Sequence, residues 1–240
     1  MNGPDIYVDI YITGGAWITP NGYGVMGDGK YPVLGTGSPV LPPDRDLFPR
    51  PHPRFGRFDM YTRLGCSAVA LTLKDAGVRE GGVSEPIGMV VSSLYEVMET
   101  DKAYYQTTLE EGGVLSSPNL FSYTLPVIVL GECSVMFNLT GPTFCVGEGS
   151  GTGINALQNA ASVIASGKTS RMLAGWIDSP PANMGVTGDR PLAGSVFVIL
   201  DAMPGNMLSF RTKVVYDKGS LALSSGRDVS SITDLFNPEE

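Results

Sequence analysis

Cysteine and histidine, the commonest thiolate and imidazole ligands and nucleophile–base pairs, are scarce in this 240-residue chain, at three and one. Cys66, Cys133 and Cys145 show no CxxC or CxxH spacing, and each lies in an apolar, periodic context. That pattern predicts reduced, buried thiols, and it excludes both a disulfide framework and a zinc motif. His52 stands in a proline-stiffened stretch, "FPRPHPRF", and has no second histidine to work with. Positive charge is equally scarce. The net charge is −8 and no lysine or arginine cluster is large enough to neutralise a phosphate backbone, which argues against nucleic-acid binding. Arg50, Arg54, Arg57 and Arg63 form the one concentration of basic residues, read here as solvated loop charge. Without it, an acidic surface of this kind would repel an acidic carrier.

Long apolar runs are absent too, so no membrane span is expected. The first residues, "MNGPDIYVDIYITGG", lack a basic n-region and alternate instead of forming an apolar block, so they do not read as a signal peptide. The expected location is the cytoplasm. What the chain has in quantity is glycine and proline, 31 and 18 residues, set at turns and not in repeats. With 42% hydrophobic and only 17% charged residues, this is the composition of an ordered, loop-rich globular protein.

Alternation in "DIYVDIYIT" (5–13) predicts a strand, with Ile6, Val8, Ile10 and Ile12 on one face. A long Gly/Pro-rich segment, 14–57, lacks helical periodicity and is expected to be loop. Asp59 is placed to cap a helix carrying Tyr61, Leu64, Ala68, Leu71 and Ala76, which Gly77 would end. Further strands are expected at 86–94, 142–148, 170–178, 195–201 and 208–217. Helices are expected over the polar stretch closed by Gly112 and Gly113, after Pro126, and from Ile154 to Gly167. The stretch from Lys218 is polar and reads as a frayed end. Strands separated by helices give an α/β layered fold, and no linker divides residues 1–240, which are taken as one domain.

The segment that carries chemistry is "CVGEGSGTGINAL" (145–157). A strand turning through glycines into a helix directs backbone N–H groups at an anion or oxyanion. It is neither GxxxxGK[ST] nor GxGxxG, since Thr152 and Ile154 stand where glycines are needed and no lysine follows before Lys168. Nor is it the GxSxG elbow of serine hydrolases, because Glu148 and Thr152 flank Ser150 at the glycine positions.

The wider segment "GPTFCVGEGSGTGINALQNAASVIASGKTSRMLAGWID" resembles the region around the active cysteine of β-ketoacyl synthases. Gly141 and Pro142 match the family's opening pair, Gly153 its closing glycine, and "LAGWID" the strand beyond. "YITGGAWITPNG" is similar to the family's N-terminal signature, "FDMYTRLGCSAVALTLKDAGV" to its first helix, and "SPNLFSYTLP" with "GECSVMFNLTGP" follow in family order. The resemblance covers nearly the whole chain but only the first half of a full-length synthase. It implies a layered α-β-α, thiolase-like half with a mixed sheet and helices on both faces.

By the same resemblance Ser150 occupies the nucleophile's position, with Glu148 and Gly149 replacing the Thr-Ala before it. Condensation in the family needs a cysteine thiolate and two further groups, two histidines or a histidine and an asparagine, from the second half of the fold. A serine hydroxyl without those helpers is a poor nucleophile. The resemblance therefore implies a non-catalytic, chain-length-factor-like subunit needing no cofactor or metal. It would pair with itself or with a full-length ketosynthase in fatty-acid, polyketide or aryl-polyene assembly, with an acyl-carrier protein as a further partner. In thiolase-fold dimers the strand before the elbow pairs across the two-fold axis, which assigns that role to "PTFCVGE". Two alternatives stay open: an acyltransferase or thioesterase acting on carrier-protein or CoA thioesters through Ser150 with Glu148 assisting, and an acyl-chain binding module. For Glu148 itself the favoured reading is a structural carboxylate bonded to turn N–H groups, ahead of a catalytic role.

Overall fold

A computed structural model describes residues 7–50, 52–78, 86–149, 152–181, 191–203 and 210–237. In chain order the elements are β1 (Val8–Thr19), β2 (Gly22–Val25), α1 (Asp44–Leu47), α2 (Met60–Asp75), β3 (Gly88–Ser93), α3 (Met98–Leu109), α4 (Pro118–Phe121), α5 (Ile128–Phe137), β4 (Thr143–Gly147), α6 (Ile154–Ala165), β5 (Arg171–Asp178), β6 (Gly194–Asp201), β7 (Thr212–Asp217) and β8 (Ser220–Leu223). The strands form one mixed sheet in the order β4-β3-β5-β6-β1-β7-β8, with β2 paired to the far half of β1. β3 runs parallel to both β4 and β5, and the remaining pairings are antiparallel. The fold is thus the layered, mixed-sheet α/β class anticipated from the sequence.

Helix α2 and helix α5 cover one face of the sheet, and α6 covers the other. α2 begins where Asp59 was expected to cap it: the Thr62 N–H donates to Asp59 Oδ1 at 2.9 Å, and the other carboxylate oxygen takes the Thr100 hydroxyl at 2.6 Å. Its burial is nearly complete from Tyr61 to Leu73, because small residues (Gly65, Ser67, Ala68, Ala70) let it lie close to both sheet and α5. α6 has the opposite character. Ala156, Leu157, Ala160, Ala161 and Ile164 are buried, while Ser162 on the outer side is exposed.

Strand β1 runs past Gly14 and Gly15 to Thr19, into the segment expected to be loop. Its pairing with β6 shifts between Ile12 and Gly14, a bulge that adds one residue. Ile10 and Ile12 therefore face the α6 core, whereas Ala16 and Ile18 face the α2 core. Gly14 sits against the end of α2, where a β-carbon would lie 2.7 Å from the Ala76 nitrogen. The extra residue is Thr13, and Gly14 and Gly15, in the segment expected to be loop, pair with Ile199 and Val198 under a closely packed helix end.

The stretch after Lys218 also departs from expectation. Instead of fraying, it forms β8 and then a helical turn, Ile232–Leu235, held by a reciprocal Ser231–Asp234 capping box. Ile232, Leu235 and Phe236 are buried beside α6, which outweighs the polarity of the residues between them.

Candidate functional site

The parallel strands β3, β4 and β5 end side by side, with Ser93 opposite Gly147 and Ser92 opposite Trp176. Ligands of open α/β sheets bind outside such carboxyl ends, and the glycine-rich elbow lies there. Ser150 and Gly151 fall outside the described residues. The groups around them are described, and they set the local electrostatics.

Glu148, the first residue after β4, is 5% exposed. Its backbone N–H donates to the Ser93 carbonyl at 3.0 Å, locking the elbow to the end of β3. Its Oε2 accepts the backbone N–H of Asn155 at 3.3 Å, in the first turn of α6. The Asn155 side-chain amide in turn donates to the Gly147 carbonyl at 2.8 Å. A carboxylate is thereby folded back onto the positive end of the helix that follows it. Gly153 enters α6 at φ +76°, and a β-carbon there would meet Ile232 and Trp176 at 3.0 Å. The C-terminal turn completes the elbow from that side: the Ile232 N–H donates to the Thr152 carbonyl at 2.9 Å, and Ser231 Oγ to the same oxygen at 3.3 Å.

A second polar cluster lies beneath the strand ends, centred on Asp178 at the end of β5. Its carboxylate, 1% exposed, accepts the Ser93 hydroxyl at 2.7 Å, the Leu94 and Tyr95 N–H groups at 3.0 and 2.8 Å, and Trp176 Nε1 at 2.7 Å. Burial raises its pKa, and the hydrogen bonds from Tyr95, Ser93, Trp176 and Leu94 oppose that rise. Ser93 Oγ also accepts the N–H of Glu96, which holds a left-handed φ of +49°. The buried Tyr61 hydroxyl approaches this cluster without a well-formed hydrogen bond, and its pKa is driven up by burial first and then by Cys145 and Asp178. Sequence reading missed Ser93, Tyr61 and the role of Asp178. The one available signal was a carboxylate closing an otherwise apolar strand, "RMLAGWID".

Cys145 does not face the elbow helix. On β4 it packs with the α2–α5 core, while its neighbours Phe144 and Val146 pack with α6. Burial, reinforced by Glu96, pushes its thiol up to about 11, which leaves it protonated and inert at neutral pH. His52 lies between the Phe48 and Phe58 rings, with centroids 6.4 and 6.3 Å away, among the aromatic residues that precede α2. The basic residues around it divide. Arg54 pairs with the buried Glu132, Arg63 lies 5.5 Å over the Phe55 ring, and Arg50 and Arg57 are exposed. Among the described residues no group of three or more His, Cys, Asp or Glu could hold a metal ion, and no helix is long and apolar enough to cross a membrane.

The profile of the family described as "Beta-ketoacyl synthase, N-terminal domain" matches residues 39–189. The 3-oxoacyl-[acyl-carrier-protein] synthase 2 of Vibrio cholerae is 27% identical over 134 residues, 55% of this chain and 32% of that protein. The synthase of the same name from Vibrio harveyi is 25% identical over 134 residues, with the same coverage. The chain thus spans about a third of the length of these curated relatives. Among solved structures, the ishigamide ketosynthase/chain length factor superposes with a TM-score of 0.64 at 16% identity, covering 82% of this chain and 63% of that one. A ketosynthase in complex with its chain length factor from Xenorhabdus doucetiae gives 0.61 at 15% identity, covering 82% and 81%. At these identities the shared property is the fold.

Proposed function

The chain belongs to the β-ketoacyl synthase family through its N-terminal domain, and on that footing we propose that it is a ketosynthase-like subunit of acyl-chain assembly that performs no condensation of its own. The observation that carries this reading is the Glu148 carboxylate on the first turn of α6. A condensing enzyme needs that helix end to favour a thiolate and a developing oxyanion. A resident carboxylate does the reverse. At an effective dielectric near 20, two like charges repel by roughly 4 kcal/mol at about 4 Å and roughly 2 kcal/mol at about 8 Å, on the order of one to three powers of ten in rate. With serine in the nucleophile's position, the elbow keeps the turn and opposes the chemistry.

Pairing is the role that remains, and two surfaces support it. β4 lies at the edge of the sheet, and "TFCVG" carries no charge, proline or bulge to discourage an added strand. Beside it in sequence, the segment from α3 to α5 exposes Leu109, Phe121, Leu125, Val127 and Val135. The partner is a full-length ketosynthase or a second copy. Arg50 and Arg57, exposed and close in sequence to half-exposed Arg54, offer an acidic carrier protein a positive landing area on a chain of net charge −8.

Intact-mass spectrometry after incubation with acyl-CoA and acyl-carrier protein tests the absence of chemistry. No covalent adduct is expected, and an adduct lost in Ser150→Ala would establish the acyltransferase or thioesterase alternative instead. The electrostatic cause has its own readout. In Ser150→Cys the introduced thiol is expected to alkylate at least tenfold more slowly than in the double variant Ser150→Cys/Glu148→Ala. Equal rates would remove Glu148 from the explanation.

A further inference from the structure

Two thiols unconnected with the elbow meet in the core. Cys66 on α2 and Cys133 on α5 are both fully buried, and their sulfurs lie 3.5 Å apart. The helices around them are closely packed. A β-carbon on Gly65, the residue before Cys66, would fall 2.3 Å from Val129, one turn before Cys133. A disulfide needs an S–S distance near 2.05 Å and α-carbons within about 7 Å. From 3.5 Å, a sulfur movement of about 1.5 Å meets the first requirement.

We propose that Cys66 and Cys133 form a reversible disulfide site that ties α5 to α2 on exchange with a low-molecular-weight disulfide. One thiolate attacks the small disulfide and expels the first small thiolate, giving a mixed disulfide on the protein. The second protein thiolate then attacks the protein sulfur of that mixed disulfide and expels the other. Two electrons pass to the small disulfide, and the two protons lost by the protein thiols end on its two thiol products. In the closed core the reaction is slow, because burial, Cys133 and the Glu132 carboxylate all hold the Cys66 thiol well above its ordinary pKa. Exchange therefore requires α5 to lift from α2. α5 leads within a few residues into the edge strand β4 and exposes Val135, with exposed Val127 just before it, so the state of the pair records whether this face has opened. Cys145, partly buried on β4 and packed against the same core, is removed in the test to keep the count of thiols unambiguous.

The experiment treats the Cys145→Ala protein with oxidised glutathione, with and without sub-denaturing urea, and follows it by intact mass and peptide mapping. The expected product has lost two hydrogens, contains a Cys66–Cys133 cross-linked peptide and reverts with dithiothreitol. A link across 67 positions is expected to raise the melting temperature by on the order of 10 °C. Cys66→Ala and Cys133→Ala should each give a single glutathione adduct in its place. Stable adducts on both thiols of the parent protein, without closure, would overturn the proposal. So would an absence of any thiol reaction in urea concentrations that leave the protein folded.

Discussion

Asp178 offers the sharpest perturbation of the strand-end cluster. Truncation to alanine removes an acceptor that serves the Leu94, Tyr95 and Trp176 N–H groups and the Ser93 hydroxyl. The hydroxyl can rotate to another acceptor, but the three N–H donors cannot follow. Each buried donor left unmet costs about 1–3 kcal/mol. Allowing for water entering the vacated space, Asp178→Ala is expected to lose roughly 4 kcal/mol, a large part of the 5–15 kcal/mol typical of a folded domain. Asp178→Asn keeps the shape and one acceptor oxygen and should lose about half as much. Urea unfolding followed by tryptophan fluorescence is the natural assay, since Trp176 is bonded to the carboxylate itself. With a slope of about 2.5 kcal/mol per molar, the alanine variant's midpoint should fall by roughly 1.5 M. The pH dependence adds a second check. Burial raises the folded-state pKa of Asp178 above its ordinary 3.8. Between those two values the folded chain holds the proton more tightly than the unfolded one, so this contribution declines as pH rises through the window and returns as pH falls. Asparagine cannot titrate, so the stability gap between wild type and Asp178→Asn should widen from pH 7 toward pH 4. A midpoint change in the alanine variant equivalent to less than about 1 kcal/mol, or a gap that narrows with acid, would refute the reasoning.

Two further perturbations test other parts of the fold. Gly175→Ala on β5 would place a β-carbon 2.2 Å from the Phe197 ring on β6, in a rigid strand pairing. A loss of about 1–3 kcal/mol is expected from overpacking, and thermal unfolding unchanged from wild type would count against the register of those strands. Cys145, with its thiol near 11, should alkylate at a rate still climbing about tenfold per unit between pH 8 and 10. Peptide-resolved mass spectrometry checks this, and a plateau near pH 9 would contradict the burial assigned to that side chain.

Helix α2 shows how far local chemistry reads through to structure. Asp59 signals its start, the apolar spacing from Tyr61 to Ala76 signals its buried side, and its end falls at Asp75, two residues before Gly77. The same holds for α6, whose small and apolar residues at helical spacing are the buried ones. The candidate site was legible only along the chain. The position of the elbow follows from "GPTFCVGEGSGTG", and the Glu148 contact spans seven residues. The Asp178 cluster joins residues more than 80 positions apart, and no local pattern encodes that meeting. The end of the chain was misread for a related reason. Ile232, Leu235 and Phe236 are few among polar neighbours, and their burial depends on α6 lying beside them in space. Gly14 and Gly15 were ambiguous in another way, since glycine marks a loop and a closely packed strand with the same letter.

The bulge in β1 has a mechanical consequence. Because β1 sends Ile10 and Ile12 to one side of the sheet and Ala16 and Ile18 to the other, it acts as a stitch passed through both layers of a cloth. Neither layer can peel away without pulling the thread that secures the other. Damage on the α2 side is therefore expected to reach the α6 side, with the two melting in a single step.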